Sequence, residues 1–192
     1  MDEYLQTAVE GFRIVATFYG LVLLLGAGPT YLLLTEDWRR HYLLLIPLVG
    51  WCLLVLSLFT INLVVGVQTG IYIVAAAAAL TNGVALWQRR THPIEMPRES
   101  LLPIFMGVTL VVLALIPQIA QRSLGLLSMN QDEELYYPAT AFVLAYPTIG
   151  VSLSLTKGFL EGISLYGWAF QYTSAAVSAL TGSLPFTVYI PI

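Results

Sequence analysis

The fold class this sequence predicts is an all-α polytopic bundle of about five transmembrane spans plus a juxtamembrane helix, and three observations predict it. Of its 192 residues, 58% are hydrophobic and only 10% charged, whereas a soluble domain carries roughly 25% charged residues. The mean hydropathy is +0.80. The charges gather in short clusters, at Arg39–Arg40, Arg89–Arg90 and Asp132–Glu133–Glu134, with long uncharged runs between them. A water-facing fold needs charge along every surface element, so this distribution excludes one. The net charge of −3 offers no basic footprint for a nucleic acid. The single cysteine, Cys52, excludes a disulfide within the chain and reads as a small buried hydrophobe in an apolar run.

A helix needs about 20 apolar residues to cross the hydrocarbon core. Phe12–Leu34 is the first such run, uncharged after Arg13, with Gly26, Gly28 and Pro29 expected to loosen its second half. Its length and the acidic residues before it (Asp2, Glu3, Glu10) exclude a cleavable signal peptide, which opens on a basic segment and has a short apolar core. Tyr42–Val65 is the second run. The third, Gly70–Trp87, follows a short hairpin over Gly66–Gly70, and the fourth is Leu101–Ala120, bracketed by Pro103 and Pro117. A fifth, Ile163–Thr181, is more polar but free of charge.

The run Pro138–Thr156 is uncharged too, but Pro147 and Gly150 interrupt it, and Val151–Leu155 alternates apolar residues with serine at period two. Unpaired backbone is costly in lipid. A juxtamembrane helix followed by a re-entrant or surface stretch is therefore expected there, rather than a crossing. Ser183–Ile192 opens another apolar run about half a span long, as expected if the chain ends in or on the membrane or is the front of a longer protein. The elements group into two membrane units, 1–100 and 101–192.

Lys and Arg in connecting loops set orientation. Arg39 and Arg40 follow the first span, and Arg89, Arg90 and Arg98 the third, whereas the other side holds Arg13, Arg122 and Lys157 over many more residues. The basic loops are expected in the cytoplasm, with the N-terminus and the Gln121–Gly162 connection outside. Trp38, Trp51, Trp87 and Trp168 are expected near helix ends, as an interfacial aromatic belt requires.

Common signatures of chemistry are missing: no glycine-rich phosphate loop, no Cys/His metal spacing and no Ser-His-Asp set. His41 and His92 stand beside arginines and read as interfacial. Asn62, Thr81 and Asn82 fall in or at the ends of spans, where an amide or hydroxyl usually bonds to a neighbouring helix. The Ala75–Ala79 run and the scattered glycines read as close helix packing.

The acidic triplet allows two readings. Asn130 can cap a helix whose third residue is Glu133, a variant of the capping box, with acids favoured at the positive end of the helix dipole. Alternatively, adjacent acids that repel one another near a low-dielectric surface point to function. Asp132 or Glu133 would then act as a general base or hold a divalent cation.

The segment Asn130-Gln-Asp-Glu-Glu-Leu-Tyr-Tyr-Pro-Ala resembles the first acidic motif of the GT-C class of polytopic glycosyltransferases. Gly167-Trp-Ala-Phe-Gln-Tyr and Leu180-Thr-Gly-Ser-Leu-Pro look like the start of that class's second core helix and its Gly-Pro turn. Gly26-Ala-Gly-Pro-Thr-Tyr-Leu-Leu-Leu is similar to a helix end in large bacterial membrane proteins that prefix such a core with extra helices. The resemblance covers about residues 101–192. It implies Asp132 as catalytic base with Glu133 the next candidate, a polyprenyl-phosphate sugar as donor, and a lipid, glycan or protein hydroxyl as acceptor. It also implies a place in the bacterial plasma membrane. Three helices precede the unit that carries the motif, where many members have one, and the class's later donor-binding loops have no counterpart in these residues. A non-catalytic structural subunit, packed on other membrane subunits through small-residue helix faces, is the competing expectation. A transporter would want charged or broken helices near the midplane, and the four clear spans hold no buried charge.

Overall fold

A computed structural model of the chain describes residues 3–35, 38, 41–89, 101–120, 131–147 and 169–188. Among these residues the structure is helical, with no strand: α1 (Glu3–Leu33), α2 (Tyr42–Asn62), α3 (Val67–Arg89), α4 (Leu101–Ala120), α5 (Gln131–Ala145), α6 (Ala169–Thr181) and the short α7 (Pro185–Val188). Three of them, α1, α2 and α3 as far as Gln88, are long and apolar enough to cross a bilayer, and they mark the chain as a membrane protein. The apolar stretch Leu101–Pro117 of α4 is shorter. Three candidate crossings therefore stand among the described residues, against the five expected. Residues 163–168 of the expected fifth run, Trp168 among them, lie outside the described residues, as do His92 and Arg98.

The helix α1 does not loosen where its glycines and Pro29 suggested it would. It runs unbroken through Gly26, Gly28 and Pro29 to Leu33. The glycines serve close approach instead. A methyl on Gly28 would lie 2.8 Å from the backbone nitrogen of Asn82, and one on Gly26 would fall on the Ile46 carbonyl. Neighbouring side chains also satisfy backbone in this turn. Asn82 Nδ2 donates to the Leu24 carbonyl at 2.6 Å, and the Tyr42 hydroxyl to the Ala27 carbonyl at 2.9 Å. Both bonds tie α1 to its neighbours, α3 and α2. Accordingly, α1 packs most extensively on α2 and next on α3.

One core joins α1, α2, α3, α5 and α6, with Val22, Leu58, Ile71, Val143 and Ala175 at its centre. The helix buried most completely is the polar one: every residue of α6 from Gln171 to Ser178 is buried. The apolar helices turn their outer faces outward, Phe105 being 70% and Trp87 72% exposed. Lipid is as apolar as leucine, so helices in a bilayer associate through small and polar contacts rather than through apolar surface.

Several local expectations are corrected. Cys52 is exposed on α2, not buried. Trp51 stands in the middle of α2 rather than at its end, and its indole N–H donates to Thr173 Oγ1 at 3.0 Å. The turn between α2 and α3 covers residues 63–66, and Gly70 already lies in the first turns of α3. The helix expected from Pro138 starts at Gln131 and holds Pro138 in its interior. It ends at Ala145, just before Pro147, which lacks a donor and disfavours helical geometry at the residue before it. Residues 148–156 of that run lie outside the described residues.

Candidate functional site

Asp132 and Glu133, with Glu134 beside them, lie in the first turn of α5. Carboxylates are favoured there because the unpaired N–H groups of the first turn carry a partial positive charge. Asn130, the expected cap, and the side chains of residues 131–136 lie outside the described residues. Past that turn α5 anchors itself in the bundle. Ala139, Thr140 and Val143 are buried, and α5 packs chiefly on α6, with smaller contacts to α3 and α7. Phe142 stacks on Tyr146 with ring centroids 5.6 Å apart.

The far end of α5 meets Asn62, which is fully buried. Its Nδ2 lies within hydrogen-bond distance of three carbonyls, those of Tyr146 at 3.0 Å, Val143 at 3.1 Å and Val65 at 3.2 Å, which share its two N–H groups. The Tyr172 hydroxyl of α6 donates to Asn62 Oδ1 at 3.3 Å, and the Tyr172 ring meets Phe59 edge-on. The sequence identified Asn62 as an interhelical hydrogen-bonding residue. It could not identify the partners, which are 81 and 84 positions away for the two α5 carbonyls. Trp51 was read as a belt residue and its bond to Thr173 was not foreseen, because an indole in an apolar run gives no sign of which helix it faces.

A second polar cluster joins the start of α1 to the turn between α6 and α7. Ser183 Oγ donates to Glu10 Oε1 at 2.5 Å and accepts from Arg13 at 3.0 Å, while Arg13 and Glu10 pair at 2.6 Å. Gly182 takes the left-handed conformation, φ +70°, that ends α6. Its N–H reaches the Ser178 carbonyl at 2.9 Å, and Ser178 Oγ reaches the Ser183 carbonyl at 2.5 Å. At the other end of the bundle His41 immediately precedes α2, beside Trp38 at 5.8 Å between rings.

Among the described residues no three His, Cys, Asp or Glu side chains gather as a metal site would require. Comparison of the chain with protein families, with curated proteins and with solved structures finds no match to any of them.

Proposed function

We propose that the chain is the membrane-embedded part of a glycosyltransferase that takes its sugar from a polyprenyl-phosphate donor at the extracytoplasmic face. The observation that carries this reading is the placing of Asp132 and Glu133 on the first turn of a helix anchored in a membrane bundle. In the reaction, an acceptor hydroxyl attacks the anomeric carbon of the donor sugar. Asp132 takes the hydroxyl proton, the bond from the anomeric carbon to the phosphate oxygen breaks, and the polyprenyl phosphate leaves with the electron pair. Glu133 is the alternative base. The Lys/Arg bias supports an outward-facing N-terminus and acidic turn with cytoplasmic basic loops.

The test uses vesicles containing the full-length protein and a panel of radiolabelled polyprenyl-phosphate sugars. Transfer of label to an acceptor above the level of empty vesicles is expected for at least one donor. No transfer from any donor would count against the reading.

A second reading, a non-catalytic subunit of a larger membrane complex, draws on α4. Residues 101–110 of that helix are exposed on every side, and α1 is its main contact in the bundle. A helix so free of its own chain suits contact with another subunit as well as with lipid.

A further inference from the structure

We infer that Asn62 is a positioning residue for Asp132 and Glu133, holding α5 at its far end so that its first turn is fixed in the bundle; the inference rests on the reading of that pair as the reacting carboxylates. Within α5 the Val143 carbonyl would accept from the residue four positions on, and that residue is Pro147, which has no N–H. The Tyr146 carbonyl lies just past the last residue of the helix. The Val143 oxygen, in a buried setting, needs a donor from elsewhere, since an unmet polar group is costly in lipid; the Tyr146 oxygen is part-buried and accepts a donor too. Asn62 Nδ2 supplies it to both, at 3.1 and 3.0 Å. The same amide reaches Val65 in the turn after α2, and its oxygen accepts from Tyr172 of α6. One side chain therefore ties α5 to the end of α2, to the α2–α3 turn and to α6.

Packing at this point allows α5 no slack. A methyl on Gly66 would lie 2.7 Å from the carbonyl carbon and oxygen of Ala145, so the end of α5 is seated directly on the α2–α3 turn. From Val143 back to Asp132 a helix rises about 16 Å. A tilt of about 4° at the tied end therefore carries the carboxylates about 1 Å, and a misplacement of that size can cost about 10²-fold in rate. The donor would still bind, because only the base has moved.

The test uses full-length protein in lipid nanodiscs and two readouts, amide hydrogen exchange over 139–146 and the separate kcat and KM of transfer. Asn62→Asp keeps the shape and loses the paired donors. It is expected to speed exchange in the last turn of α5 about tenfold or more and to lower kcat by about 10- to 100-fold with little change in donor KM. Tyr172→Phe, which removes only the hydroxyl on Asn62 Oδ1, is expected to move both in the same direction by about 2- to 5-fold. It also keeps the test open should Asn62→Asp fail to fold. Unchanged exchange in the variants that fold overturns the anchoring. Faster exchange with unchanged kcat, in a protein that Asp132→Asn inactivates, overturns the link to the carboxylates. Full activity in both Asp132→Asn and Glu133→Gln instead defeats the reading of the acidic pair, while the exchange data still decide whether Asn62 anchors α5.

Discussion

Gly26 and Gly50 face each other where α1 crosses α2: a methyl on Gly26 would fall on the Ile46 carbonyl oxygen and one on Gly50 on the Val22 carbonyl oxygen, each also 3.0 Å from the other glycine's nitrogen. Neither contact can give by rotating a side chain, because the obstructing atoms are backbone. Small residues at helix crossings are what allow membrane helices to approach this closely.

Gly26→Ala and Gly50→Ala are accordingly expected to destabilise the protein by about 1–3 kcal/mol each, the usual range for overpacking. Gly20 provides the control, since a methyl there meets nothing within 4 Å. Gly20→Ala is expected to be neutral or to gain up to about 1 kcal/mol from lower backbone entropy in the unfolded chain. Reversible unfolding in mixed detergent micelles measures all three. Equal stability of Gly26→Ala and Gly20→Ala would show that the crossing is looser than described.

Adjacent residues of α6 should respond in opposite ways. Thr173 Oγ1 accepts the Trp51 indole N–H, whereas the Ser174 hydroxyl is buried with no hydrogen-bond partner among the described residues. Thr173→Val is expected to cost about 1 kcal/mol. A double-mutant cycle with Trp51→Phe should return a coupling of about 0.6 kcal/mol, the average measured for such bonds in membranes. Ser174→Ala removes an unmet hydroxyl and should leave stability unchanged or raised. A loss of more than about 1 kcal/mol from Ser174→Ala would mean that the hydroxyl has a partner in the folded protein.

How much of this could be read from the sequence depended on the physical signal. Apolar helices are written as unbroken apolar runs, so α4 has the bounds read from composition, Leu101–Ala120, and α2 starts at Tyr42 as expected. Contacts inside the bundle are written differently. Hydropathy cannot tell a lipid-facing cysteine from a packed one, which is why Cys52 was misplaced. Nor does it show that the polar α6 would be the helix buried most completely, from Gln171 to Ser178. The start of α5 at Gln131 was one of two readings of the acidic triplet, because acids suit a first helical turn. The acidic pair was visible as residue types. The tie that anchors its helix was not, because Pro147 and Asn62 are 85 positions apart and only the fold brings them together.

Topology has a direct check on a Cys52→Ala background in intact cells. A cysteine placed at position 131 should react with an impermeant thiol reagent, and one at position 90 should react only after the membrane is opened. The reverse pattern would invert the orientation taken from the Lys/Arg bias and put the acidic turn in the cytoplasm, away from the proposed donor.

Glycosyl transfer by an Asp132→Asn variant is the most direct test of the proposed chemistry. The substitution keeps the size of the side chain and removes its basicity. A carboxylate base that accepts the acceptor's proton contributes about 10²–10⁴-fold in rate. In full-length protein, with exchange over α5 unchanged, Asp132→Asn is expected to lower kcat by that factor. Glu133→Gln should matter less, unless it is the base, in which case the two results change places. Glu134→Gln should retain most of the activity. If Asp132→Asn and Glu133→Gln both transfer sugar at the parental rate, neither carboxylate is the base and the proposed mechanism is wrong.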